Sequence, residues 1–287
     1  MNLEAISGAA TVALTSTIVF MLIAKSWNAI SRTISSTPSF SDLIMHEAAQ
    51  RFRDEFARLT ISQSTDLSGA LVFVMLFIAA YILHAQELFQ GYPSWQLYLQ
   101  LGFLCLATGY AMFRLVNTVI NKRHVKFLRD ANIAIGHRLQ QLTANGTRVF
   151  HDVATTAGII DHVVVGQNGL YAVNVVARRS GKQGQVRMKG NVLHFSNSKI
   201  EYPIVDISAK TTRLAKDFRK IIGHTVRVRS VIALPGWEIG EQLNDEHLLV
   251  CENTLAMFGG WKDESDYLMN EDVHALQKEL TARCIIS

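Results

Sequence analysis

Across 287 residues, hydrophobic side chains make up 49% and charged ones only 18%, with a mean hydropathy of +0.16. Soluble domains usually carry about a quarter charged residues, so this composition excludes disorder, collagen-like or low-complexity structure, and a wholly soluble protein. The formal charge of +4 hides a division: residues 1–120 hold 6 basic and 7 acidic residues, 178–229 hold 13 and 3, and 230–287 hold 3 and 11.

Three apolar runs, about 5–24, 67–85 and 95–113, each approach the ~20 residues that a spanning helix needs. The first has no basic residues ahead of it and contains Glu4, so it reads as a retained anchor rather than a cleaved signal. The stretch before it carries no Lys or Arg, whereas 25–66 carries Lys25, Arg32, Arg51, Arg53 and Arg58. The connection 86–94 again has none, and Arg114, Lys122, Arg123, Lys126 and Arg129 follow the third run. Basic loops stay on the cytoplasmic side. The expectation is a multi-pass inner-membrane protein with its N-terminus outside and everything after about 120 in the cytoplasm. Residues 1–120 are then a membrane domain and 121–287 a cytoplasmic one.

Inside the basic loop, 41–59 predicts an amphipathic helix capped by Ser41 or Asp42, with Met45, Ala49, Phe52, Phe56 and Leu59 on one face. Such a stripe can pack on the soluble domain, lie on the inner leaflet or pair with a second copy; packing is the simplest of these.

From 128 the pattern changes. A helix running to Gly146 is followed by strands at 147–153, 158–166 and 170–178, the last two flanking a tight Asn168-Gly169 turn. A second hairpin surrounds Lys189-Gly190, a helix occupies 203–223, strands lie at 225–234 and 247–252, and a helix covers 270–283. This order predicts an α/β sandwich with a mixed sheet. Cys105, Cys251 and Cys284 are too few and scattered for a disulfide framework or zinc site, which suits a reducing compartment. None of the ten histidines has metalloprotease spacing.

Several of these residues carry a resemblance. Gly136, Val149–Val153, the Ile-Asp-His-Val-Val-Val-Gly strand, Asn168-Gly169-Leu170-Tyr171, Ser180-Gly181-Lys182 and Pro203 with its following helix resemble the nuclease-related domain, NERD, over about 130–258. The resemblance implies a restriction-endonuclease-like α/β fold of the PD-(D/E)xK kind. Such a nuclease holds Mg2+ or Mn2+ on converging carboxylates, and the ion activates water for attack on a phosphate. A lysine beside it stabilises the developing charge.

The chain departs from that pattern. The family's aspartate is kept as Asp161, but its helix acid falls at His137, its acid-x-lysine triplet on Asn174-Val175-Val176, and its glutamine at Asp206. Asn174 carries no charge, and Arg178, two residues past Val176, is no substitute for a lysine. The expectation is a catalytically degraded module with no cofactor and no metal, Asp161 being the one residue left to hold any. The alternatives are an active metal-dependent nuclease with a divergent site, or a membrane oligomer or scaffold without a nucleic-acid role.

The basic block supplies the expected contacts. Arg178, Arg179, Lys182, Arg187 and Lys189 surround the central hairpins, and Arg213, Lys216 and Lys220 share one helical face. With few aromatics for base stacking, they suit non-specific contact with nucleic-acid phosphates; they also suit anionic lipid. The expected partners are the bilayer and nucleic acid, or else a second copy or another membrane or cytoplasmic protein.

Overall fold

The computed structural model describes residues 3–34, 45–82, 94–141, 146–179, 184–242, 246–255 and 267–284. The chain forms two compact units, one from Met1–Phe40 with Glu55–Val125, the other from Ser41–Asp54 with Lys126–Ser287.

The first unit is helical. Helix α1 spans Leu3–Ile34, α2 Gln50–Ile82 and α3 Ser94–Gln140. Among the described residues, three windows are long and apolar enough to cross a membrane: Gly8–Trp27, Gln50–Ala80 and Gly102–Gln140. Gly69 of α2 lies beside the Met21 side chain of α1, whose Cε is 2.5 Å from where a Cβ would stand. The polar side chains between the apolar runs find partners within the unit: Asp66 lies 3.5 Å from Arg114, and Lys122 donates to Gln63 Oε1 at 2.9 Å.

The helices differ from the sequence expectation in one respect. The expected helix at 41–59 and the second apolar run form one helix, which starts at Gln50; Ser41 and Asp42, like 83–85, lie outside the described residues. The third run likewise continues without a break into the helix expected from 128. The reason is local. Thr60, Ser64 and Thr65 return their hydroxyls to the carbonyls of Phe56 and Ile61, and neither glycine nor proline interrupts 50–68 or 110–135. Polar residues alone do not stop a helix when they bond back to it.

The second unit is the mixed α/β fold expected. Its strands are β1 (Arg148–Thr155), β2 (Gly158–Gly166), β3 (Gly169–Val175), β4 (Gln185–Lys189), β5 (Val192–Phe195), β6 (Tyr202–Pro203), β7 (Val228–Ala233), β8 (Glu238–Gln242) and β9 (His247–Val250). Helix α4 covers Val205–Ile222 and α5 Asn270–Arg283. A five-stranded sheet runs β1-β2-β3-β7-β9, antiparallel through β3 and parallel beyond it. A four-stranded sheet runs β6-β5-β4-β8.

Helix α4 is amphipathic: Ile207, Thr211, Leu214 and Phe218 recur at helical spacing and are buried. Gly223 ends it in the left-handed region (φ 81°), its N–H donating to Arg219 O. Leu214 and Phe218 join Val163, Val165, Leu170 and Leu276 in the core against α5. On the other face Ile135 and Leu139 of α3 pack on Val164, Tyr171 and Val173. A third cluster, around Trp237, Phe195 and Ile207, links the small sheet to the end of β7 and the start of α4.

Candidate functional site at Asp161

Three strands converge on the residue singled out in the sequence. The β2–β3 ladder stops at the pair His162–Val173. One step further, Asp161 faces Asn174, and its Oδ2 accepts the Val175 N–H at 2.7 Å in place of a ladder bond. Both residues are buried, at 5% and 4% exposure.

Side-chain alternation slips at this level. Phe150 and Val153 on β1, and Ile160 and Val163 on β2, share one core at a spacing of three residues rather than two. The residues between absorb the slip, and Asp152 does so with φ 50°, a conformation that aspartate tolerates better than most. As a result the Asp152 and Asp161 carboxylates meet one cation. Arg51 pairs its guanidinium with Asp161 Oδ1, places Nε 3.5 Å from Asp152 Oδ1, and donates its backbone N–H to Asp152 Oδ2 at 3.1 Å. Burial pushes both carboxyls above the usual aspartate range; Arg51 pulls each back, helped at Asp161 by the Val175 amide.

Arg51 arrives in the segment Ser41–Asp54, which belongs to this unit. His46 N–H donates to Cys284 O at 2.8 Å. Ala48 sits against Gly136, where an added Cβ would lie 2.7 Å from Ala48 Cβ and 3.3 Å from His162 Cε1. Gly136 is therefore a residue of close approach between α3, this segment and β2.

Beside Gly136, His151 and His162 form a buried pair with Nδ1 atoms 2.8 Å apart. Burial lowers His151 to about 4, against Glu47, and lowers His162 well below its ordinary value, with His151 and Arg51 adding to the effect. Both rings are thus neutral near pH 7. The Gln140 side-chain amide lies 3.4 Å from His151 Nε2, on the far side of the ring from His162.

The other residues marked in the sequence divide. Asp206 is exposed in the first turn of α4. It belongs to Asp161's surroundings through Tyr202, whose hydroxyl is shifted up first by burial, then by Asp161 and Asp206, against Arg178. Lys210, on the same helix, acts on Asp161 from α4. His137 does not join them: exposed on α3, it lines a cavity of about 490 Å3 with His46, Glu47, Arg53, Gln140 and His151, and neither Asp161 nor Asn174 contributes to that lining. Val176 is buried in the cluster around Trp237.

Among the basic residues, Arg187 and Lys189 are exposed on β4, between the buried Val186 and Met188. Lys216 and Lys220 are exposed on α4, whereas Arg213, half-buried, lies 3.5 Å from Asp217. Arg178 stacks on Phe195 at 4.6 Å and Arg179 lies over Phe127 at 5.8 Å. Lys182 lies outside the described residues.

The sequence gives no sign that Arg51, Asp152, Tyr202 and Lys210 belong to the surroundings of Asp161. In the sequence Arg51 carries only a topology signal, because a contact across 110 residues leaves no local pattern. The available signal was the apolar face of its segment, which had to be covered by something.

A divalent ion does not fit this arrangement. Both Asp161 oxygens are engaged, the place between it and the Asp152 carboxylate is taken by Arg51, Asn174 opposite is a neutral amide, and among the described residues no three His, Cys, Asp or Glu side chains converge. The family model of the nuclease-related domain, NERD, matches residues 121–235. No curated protein and no solved structure matches the chain.

Proposed function

We propose that the α/β unit, built on a nuclease-related segment at 121–235, is a nuclease-like module without a working metal site that holds nucleic acid at a membrane. The observation that carries this reading is the Arg51 guanidinium on Asp161. A fixed positive charge stands where hydrolysis would need an exchangeable ion with an open coordination position for water. Arginine cannot deprotonate to take part in proton transfer, and Asn174 cannot supply the second charge.

The three apolar helices support membrane association, and the alternation of Lys and Arg between loops supports a cytoplasmic position for the module at a bacterial-type inner membrane. A reporter fused after Ser287 should then read cytoplasm and one at Tyr92 the opposite side; the reverse at either position removes the three-span topology.

The exposed cations give the binding reading its test. Reversing Arg187, Lys189, Lys216 and Lys220 to glutamate in the full chain, in detergent, should weaken DNA or RNA binding by roughly tenfold or more, equally for unrelated sequences. Wild-type affinity should fall linearly with log salt concentration. Absence of wild-type binding at low salt would remove nucleic acid as the ligand.

A further inference from the structure

The chain that delivers Arg51 crosses the α/β unit as a strap held at three points. His46 N–H donates to Cys284 O after α5, Ala48 sits against Gly136 of α3, and Arg51 joins Asp152 of β1 to Asp161 of β2. Between these points the fit is poor. Ala49, 1% exposed, has φ 62°, a left-handed conformation that alanine rarely adopts. Its carbonyl already accepts the N–H groups of Phe52 and Arg53 in the first turn of α2, so the strained residue is the joint between strap and helix. His46 Nδ1 and Arg51 Nε are buried without a hydrogen-bond partner, at a cost in desolvation. His46, Glu47 and Ala48 also line the cavity of about 490 Å3 together with Val149, Phe150 and His151 of β1, whereas packed interiors keep few voids larger than a water molecule. Strain, unpaired polar atoms and loose packing thus gather along one short segment, the profile of an element that opens locally.

We propose that residues 46–51 are a release latch between α2 and the α/β unit: displacement of α2 withdraws Arg51 from Asp152 and Asp161 and lifts the strap while the sheet stays folded. Helix α2 runs unbroken from Gln50 to Ile82 and carries the second apolar window, so a shift of that helix in a bilayer is passed to its first turn. The latch needs little travel. A withdrawal by one residue's rise, about 1.5 Å, takes the Arg51 N–H from 3.1 Å to beyond hydrogen-bond reach of Asp152 Oδ2. Relief of the Ala49 conformation lowers what release costs, and the two bared carboxylates recapture the guanidinium when the helix returns. Release therefore changes the charge at this end of the sheet as well as its shape.

This inference rests on the membrane reading of α2, and the test separates the two. Full-length protein is reconstituted in vesicles of dimyristoleoyl- or dierucoyl-phosphatidylcholine, a thin and a thick bilayer to which spanning helices adjust, and backbone hydrogen exchange is followed. Peptides covering 46–53 should exchange roughly fivefold or more faster in the thick bilayer, which draws the start of α2 toward it, while Val163 and Val165 of β2 stay equally protected. In either bilayer Ala49→Gly, which removes the strain, should slow exchange over 46–53 roughly threefold. Ala48→Leu, which has no room against Gly136, should speed it without exposing β2. Equal exchange over 46–53 in the two bilayers, with the chain floating with both vesicles, overturns the latch and leaves the membrane reading standing. Exchange over 46–53 as slow as that of Val163 also overturns it, because the strap would then open only with the whole unit. A chain that floats with neither vesicle removes the membrane reading, and the latch with it.

Discussion

Replacing Arg51 with methionine is expected to loosen the β2–β3 end of the sheet and to cost the α/β unit roughly 2–3 kcal/mol. Removing one partner from a fully buried pair costs about 3–5 kcal/mol. The smaller figure applies because a third of the Arg51 side chain is exposed and because Asp152 and Asp161, already shifted up by burial, can protonate once the cation has gone. The Val175 amide, held by Asp161 Oδ2, should exchange faster with deuterium. Asp161→Asn in the Arg51→Met background should recover part of the loss, since an amide needs no counter-charge. Unchanged protection at Val175 in Arg51→Met would mean that the pair does not hold this end of the sheet.

Acidification is expected to destabilise the same unit through its paired histidines. A histidine whose pKa is lower folded than unfolded leaves the unfolded chain binding more protons in between. Stability contributed by His151 is therefore intact above its unfolded value of 6.5 and is lost as pH falls toward about 4. The fall is on the order of 3 kcal/mol for His151 alone, and His162 acts in the same direction. Asp152 and Asp161 act oppositely: with folded values raised, they take up protons first in the folded state, so acid relieves part of their burial cost. The net loss is smaller than the histidine contribution, and its onset near pH 6.5 belongs to the histidines. His151→Asn, which removes one of the two titrating rings, should reduce the loss of thermal stability between pH 6.5 and 4.5. Equal pH dependence in wild type and variant would assign the transition elsewhere.

The elements that sequence made legible are those fixed by neighbours along the chain. The Asn168-Gly169 turn set the register of β2 and β3, the Lys189-Gly190 turn set that of β4 and β5, and the glycine after α4 ended the helix as expected. Asp161 and the loss of charge at Asn174 were legible through the resemblance to the nuclease-related domain, which marks those positions; the ladder then puts them side by side. The parallel pairing of β8 with β4, and β6 at the edge of the small sheet, were not, since neither follows from a turn. Nor was the displacement of His137 to a separate cavity, which depends on how the end of α3 is rotated over the sheet. The most consequential omission was Arg51: its partners lie more than 100 residues away, and an arginine between two apolar runs has a sufficient explanation in topology alone.

An Arg51 guanidinium on Asp161 where a nuclease would hold its metal is incompatible with metal-dependent cleavage. The direct measurement is cleavage of plasmid and linear duplex by the full chain in Mg2+ or Mn2+, with Asp161→Ala run in parallel. The expected result is no cleavage above background from either protein. Metal-dependent cleavage by wild type that disappears in Asp161→Ala would contradict it and make the protein an active nuclease.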